Sequence, residues 1–214
     1  MPPKPKTPEE IEIEKKKILG VALKIISEQG YNNLTMRLVA SRCGISATKI
    51  YYYFTNKEEI YFKIVEYGFA LLHQEIKDAY CEGSDPVERF KRVCCAYIHF
   101  ATENANYYEI MLSARTPRTM DYASGELEAI AEQEKEVAIN FYRFWSKCVK
   151  ELAAFKGIET DEYDIVAIFA QLHGIINLEH SKNLREVDID FKILGERVFE
   201  RVIRCFINLP GAEA

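Results

Sequence analysis

The sequence predicts an all-α protein in two parts, a small amino-terminal helix-turn-helix unit and a larger helical body. Three observations carry that expectation. Apolar residues recur at helical spacing along most of the 214 residues, no segment alternates as a half-buried strand would, and Thr35 to Glu59 holds a cap, a glycine turn and a second cap in close succession.

The opening residues, 1–8, are charged and Pro-rich and read as a mobile arm, not a signal segment. From about Glu9 to Gln29 the spacing predicts an amphipathic helix. Ile11, Ile18, Ala22, Ile25 and Ile26 form its inward face, and Gly30 is its stop. Thr35 then caps a short helix bearing Leu38, Val39 and Ala40. Gly44 supplies the positive φ of a sharp exit, and Ile45 plugs the gap to the next helix. Ser46 caps that helix, which runs to Tyr53. Ala47, Thr48 and Lys49 occupy its exposed first turn, while Ile50 and Phe54 face inward. Asn56 and Glu59 form the pattern of a capping box. Short helix, glycine turn and short helix is the layout of a DNA-reading helix-turn-helix.

Beyond it, a helix over 56–80 links the unit to the body, and Glu82-Gly83-Ser84 breaks it. Asp85, Pro86 and Glu88 start another helix, with Asp85 as cap and Glu88 reaching back. Its inward residues are Phe90, Val93, Cys94, Tyr97, Ile98 and Ala101. A short helix over 107–112 precedes a loop with Arg115, Pro117 and Arg118. The longest helix, about 122–156, carries Leu127, Ile130, Val137, Phe141, Phe144, Trp145, Cys148 and Leu152 and ends at Gly157. Helices over about 161–181 and 189–208 complete the chain. The domain reading is an arm over 1–8, a DNA-binding unit over 9–57 and a body over 58–214.

Charge divides the chain in the same place. The net charge is −5, yet residues up to Lys57 carry +5 and the remainder −10. A basic patch on an acidic body suits selective phosphate contact. The 6 cysteines form no CxxC pair and no Cys/His zinc spacing. No apolar run approaches the ~20 residues of a membrane span. A cytoplasmic protein with reduced thiols and no cofactor or metal is the expectation.

The ordered series Thr35, Arg37, Ala40, Gly44-Ile45-Ser46, Ile50-Tyr51, Tyr53-Phe54 and Lys57-Glu58, preceded by a long helix and a Gly-Tyr linker, resembles the tetracycline-repressor (TetR) family of bacterial transcription regulators. The resemblance spans the first sixty or so residues. It implies a homodimer formed through the last two long helices and a body enclosing a small-molecule pocket. It further implies a repressor that binds double-stranded operator DNA and is released by an effector. Trp145 followed later by His173-Gly174 loosely resembles the W…HG pattern of one subgroup of family bodies.

Candidate DNA contacts follow by type. Thr48 and Lys49 stand where side chains enter the major groove; Lys49 can donate to guanine and the Thr48 methyl can meet thymine. Ala47 permits close approach. The resemblance assigns Tyr51, Tyr53 and Lys57 to phosphate or sugar. Arg37 reaches phosphate or a base edge, Tyr52 faces DNA or a neighbouring helix, and Thr35 and Ser46 join the set as capping residues. Each alone has a plain structural explanation, a half-buried tyrosine or a solvated lysine; the spacing of the group favours DNA.

In the body, Tyr97, Phe100, Tyr107, Met111, Phe141, Trp145, Phe169 and His173 are the candidates to line an effector pocket, although an aromatic stripe is more often core. A bulky hydrophobic effector fits such a lining. The acidic body favours a neutral or cationic compound over a polyanion, with Arg115 and Arg118 as a local site for an acidic head group. Glu134 interrupts an apolar stripe and faces either solvent or the pocket. Ile168, Leu172, Ile176, Val198, Val202 and Phe206 are the candidate dimer interface, with Gly174 and Gly195 allowing close approach.

Two other function classes remain beside this one. His99 and Glu103 lie one turn apart as metal ligands can, but no Glu-x-x-His pair accompanies them, so a metal- or cofactor-binding helical enzyme has weak support. A helical protein-interaction module without DNA function does not account for the charge division.

Overall fold

The computed structural model describes residues 6–112 and 128–208, with 134 and 203–208 described in backbone only. Among these residues every regular element is a helix. They are α1 (Pro8–Gln29), α2 (Met36–Cys43), α3 (Ala47–Ile50), α4 (Lys57–Cys81), α5 (Pro86–Glu103), α6 (Ala105–Leu112), α7 (Glu128–Lys156), α8 (Glu162–His180), α9 (Asn183–Glu186) and α10 (Phe191–Asn208), with one 3-10 turn, Tyr31–Asn33, between α1 and α2. Arg115, Pro117, Arg118, Leu127 and the expected start of the longest helix lie outside the described residues, as do the side chains of Glu134 and Phe206.

The chain forms two compact units, Met1–Ala70 with Asn106–Ala138, and Leu71–Ala105 with Ile139–Ala214. This differs from a boundary at Lys57: the division falls within α4 and within α7. The reason is visible in the first unit. A Cβ on Gly68 would lie 2.5 Å from the Met111 sulfur and 3.1 Å from Tyr107 Cδ1, so the side chains of α6 seat closely on α4 at this glycine. Tyr67 and Tyr107 meet alongside, with ring centroids 5.8 Å apart. In the same unit α1 packs on α2 and α2 on α3. Ile18, Ala22, Ile25 and Ile26 of α1 are buried with Leu34, Val39, Ala40 and Ile50, and Ile11 is half-buried.

The second unit is built on aromatic packing. Trp145 is fully buried, with its ring centroid 5.7 Å from Phe90, 5.8 Å from Phe169 and 6.3 Å from Tyr97. Its indole N–H donates to the Ile165 carbonyl at 3.4 Å. α5 and α10 each pack on α8.

The helix ends follow local chemistry, with two revisions. Asp85 accepts from the N–H groups of Val87 and Glu88, both at 2.9 Å. Glu88 does not reach back, because its carboxylate takes Arg92 at 2.9 Å, one turn on. Asn56 accepts from Glu59 N–H at 2.8 Å, while the Glu59 carboxylate takes the N–H of Thr55 instead of that of Asn56. α9 was not expected. It follows Lys182, which has φ 64°, and carries no side-chain cap, so it lacks the signals by which sequence marks a helix start.

Candidate nucleic-acid interface and body cavity

Local backbone chemistry builds the reader. Thr35 Oγ1 accepts from Leu38 N–H at 3.2 Å and starts α2. Gly44, with φ 68° in the left-handed region, ends it. Its N–H bonds to the Ser41 carbonyl at 3.1 Å and that of Ile45 to the Ala40 carbonyl at 3.0 Å, the paired bonds of a Schellman stop. Ser46 Oγ then accepts from Lys49 N–H at 3.1 Å and opens α3. α3 is shorter than the expected run to Tyr53. After Ile50 the N–H groups of Tyr52 and Tyr53 bond to the carbonyls of Lys49 and Ile50 at 3.2 and 3.0 Å. These i to i+3 bonds tighten the last turn.

That turn decides which side chains face out. Ile50, Tyr53 and Phe54 are buried, while Ala47, Thr48, Lys49, Tyr51 and Tyr52 are exposed. Tyr53 therefore stands apart from Tyr51 and Tyr52. Its ring is 4% exposed and edges onto Tyr52 at 5.2 Å between centroids. Its hydroxyl accepts from the Lys6 ammonium at 3.1 Å. Lys6 also pairs with Glu14 at 3.4 Å, and its pKa is raised, first by the Tyr53 hydrogen bond and then by the Glu14 charge. Tyr53 anchors the element, and Tyr51 and Tyr52 are the open tyrosines.

Beside α3 lies a shallow hollow of about 550 Å³ where the beginnings of α2 and α4 converge. Thr35, Arg37, Tyr51 and Lys57 share its wall with Thr55 and Asn56, two residues that sequence reading passed over as contacts. No signal in the sequence marks them as contacts; the convergence of the α2 and α4 starts brings them there. The Lys57 ammonium sits 4.7 Å from the centroid of the Tyr31 ring, which holds a cation at the hollow. Two cations and a phenol in one concavity, beside the Glu58 carboxylate, suit a phosphate oxygen.

The body departs further from expectation. Tyr97, Phe100, Phe141 and Trp145 are buried, and Phe169 and His173 are half-buried. They pack on one another, with Phe169 and His173 stacked at 6.2 Å and Tyr97 5.5 Å from Phe169. Burial, then the nearby His180, pushes the His173 pKa down. Tyr107 and Met111 belong to the first unit, on Gly68. None of these eight lines a cavity of about 640 Å³ in the second unit, which opens between α5 and α10 over Leu172 of α8. The aromatic stripe makes core, because large rings release most free energy when water is wholly excluded.

The dimer candidates pack within the chain itself. Ile168, Leu172, Ile176 and Val202 are already buried within the single chain, and Val198 is half-buried. The opposite face of α8 is the open one. Tyr163 and Val166 are 85% and 51% exposed, and Ala170, Gly174 and Leu178 continue the line at helical spacing.

His99 Nδ1 lies 2.6 Å from Glu75, a pairing across helices in place of one with Glu103. No group of three or more His, Cys, Asp or Glu among the described residues is placed to hold a metal ion, and no described helix is long and apolar enough to cross a membrane.

Residues 18–64 match the family described as bacterial regulatory proteins, tetR family, and residues 90–206 match the tetracyclin repressor-like C-terminal domain. The chain belongs to the tetR family. RutR of Escherichia coli K12, an HTH-type transcriptional regulator, is 26% identical over 131 residues, covering 58% of this chain and 59% of RutR. IcaR of Staphylococcus epidermidis, named as a negative transcriptional regulator of a biofilm operon, is 40% identical over 55 residues, 26% of this chain and 30% of its own. PfmR of Thermus thermophilus, a TetR-family regulator, shares the fold with a TM-score of 0.69 at 19% identity, over 88% of this chain and 97% of its own. The matched region thus spans about six-tenths of RutR and less of IcaR. These family members are transcriptional regulators, not enzymes.

Proposed function

We propose that the chain is a ligand-responsive transcriptional repressor of the cytoplasm that binds a palindromic operator as a homodimer. The observation that carries this is the exposed edge of α3. Thr48, Lys49, Tyr51 and Tyr52 stand open on an element pinned from beneath by Ile50 and Tyr53, beside the hollow holding Arg37 and Lys57. Lys49 and Thr48 read base edges in the major groove. Tyr51, Arg37 and Lys57 hold phosphates. Thr35 and Ser46 act through the helix starts they cap, and Ala47 keeps the approach close.

Membership of the family supports the regulator reading, and the name of IcaR supports repression. The open line of Tyr163, Val166, Ala170, Gly174 and Leu178 supports a two-fold contact, since small residues at its centre let two copies of α8 approach. Two-fold symmetry sets half-sites about one helical turn apart, or a multiple of that. An effector relieves repression by binding the DNA-incompetent shape more tightly.

The test is titration of selected duplex DNA at several salt concentrations. Lys57→Ala weakens binding to all sequences alike and flattens the salt dependence. Lys49→Ala alters preference at one base position by about 1–3 kcal/mol. No salt-dependent duplex binding by the intact chain, or the two variants exchanging these effects, refutes the assignment. Light scattering showing only the 24.8 kDa chain at micromolar concentration removes the dimer.

A further inference from the structure

The cleft over Leu172 has a direction. Lys91 Nζ lies 6.0 Å from the centroid of the Phe199 ring, and a Cβ on Gly195 would lie 3.6 Å from Ile98 Cδ1. α5 and α10 therefore run antiparallel along it, and Phe191 and Lys192 fall at the His99 end. From Lys91 to His99, α5 advances about 12 Å, so the cavity of about 640 Å³ is a slot, not a bowl.

Its chemistry is uneven from end to end. Cys94, Ile98, Leu172 and Phe199 give an apolar lining, and burial pushes the Cys94 thiol well above its ordinary pKa, so that surface is uncharged. At the Phe199 end Lys91 is accompanied by Glu200, and Glu196 lies midway along the slot, one helical turn from Lys192. At the other end His99 is engaged by Glu75, and Lys192, which also lines the slot, makes no ion pair among the described residues.

We propose that this slot binds an amphipathic monocarboxylate of medium chain length, its tail along Ile98, Leu172 and Phe199 and its carboxylate at Lys192. The proposal names an effector site and class for the regulator described above and rests on that reading only for the consequence at DNA. A cation at contact distance outweighs the body's net −10, because exposed charges farther off than about 8–10 Å are largely screened at ordinary salt. A charge-assisted bond to the carboxylate fixes orientation, and the apolar slot supplies affinity.

Calorimetric titration of the full chain with decanoate, decanol and decyltrimethylammonium, all below micelle formation, tests this. Decanoate binds saturably and more tightly than decanol, and the cationic probe is the weakest. Lys192→Gln weakens decanoate roughly tenfold and leaves decanol unchanged. Gly195→Leu, which fills the slot, removes both, while Gly195→Ala, whose methyl meets only ordinary contacts, keeps them and controls for folding. No decanoate binding, equal binding of the cation, or indifference to both Lys192→Gln and Gly195→Leu overturns the proposal. Operator release is read separately. Binding without release leaves the site standing and removes the ligand-responsive reading, and a chain that binds decanoate but no duplex removes the DNA reading alone.

Discussion

The reader and the body hold their shapes by different means, and this decides where each keeps its binding groups. In the α2–α3 segment, side-chain and backbone caps at Thr35, Gly44 and Ser46 fix the chain over mostly small and aliphatic anchors such as Val39, Ala40 and Ile50. Most of its polar surface stays free for a partner. In the second unit Trp145, Tyr97, Phe90 and Phe169 fix the helices by excluding water. Its large rings are spent on the core, and the space left over lies between helices, lined by smaller and charged residues. A conspicuous aromatic in a capped segment is a candidate contact; in a helical body it is first a candidate core residue.

The largest expected effect follows from that contrast. Trp145→Ala removes a fully buried ring at the centre of the second unit and costs about 3–5 kcal/mol of stability, read by denaturant unfolding. A loss under about 1 kcal/mol would mean the ring is not the keystone of its unit. Gly44→Val is expected to cost less overall, about 1–3 kcal/mol, because a β-branched residue is forced to φ 68°. Its damage falls on DNA binding, since the turn sets α3 against α2. Gly44→Asn keeps most binding, as asparagine tolerates the left-handed region; equal damage from Val and Asn would show that something other than φ matters there.

How far the sequence could be read follows the same line. Caps and glycine stops are local, so Thr35, Gly44, Ser46, Asp85 and Asp161 mark helix ends in the chain itself, and Asp161 indeed accepts from Tyr163 and Asp164 N–H. The exposed α3 edge was legible because its turn is short and its inward residues few. The burial of Tyr53 was not legible because the contraction of α3 after Ile50 shifts the rotation of the residues that follow. In the body, periodicity says that Ile168, Leu172 and Ile176 are shielded from water but not by what. Packing within one chain and packing between two leave the same stripe. The slot was illegible for a related reason: Lys192 and Lys91 are about a hundred residues apart, and only the antiparallel setting of α5 and α10 brings both to one cavity.

A smaller, pH-dependent effect belongs to the body alone. Burial pushes the pKa of both His73 and His173 below the ordinary 6.5, with Lys77 and His180 adding to it. Between their folded values and 6.5 the unfolded chain binds protons that the folded chain does not. Stability is therefore complete above 6.5 and declines as pH falls through that window. His173→Gln should flatten part of the decline in the thermal midpoint. A midpoint that rises on acidification would reverse the sign and with it the burial of these rings.

The smallest effect bears on the reader and is the sharpest test of which tyrosine does what. Tyr53→Phe removes only the hydroxyl that accepts from Lys6 at 3.1 Å and leaves the buried ring in place. A part-exposed hydrogen bond of this kind contributes at most about 0.5–1.5 kcal/mol, and none of it is a DNA contact. Operator affinity should stay within about twofold of the parent, a difference of only a few tenths of a kcal/mol. Tyr51→Phe and Tyr52→Phe instead remove exposed hydroxyls, at 58% and 69% residue exposure, and each should weaken binding by a factor that salt leaves nearly unchanged, since an uncharged hydroxyl releases no counterion. Equilibrium titrations of the three variants at two salt concentrations separate the outcomes. If Tyr53→Phe loses as much affinity as Tyr51→Phe, the Tyr53 hydroxyl leaves Lys6 for the phosphate on binding, and the division between anchoring and contacting tyrosines fails.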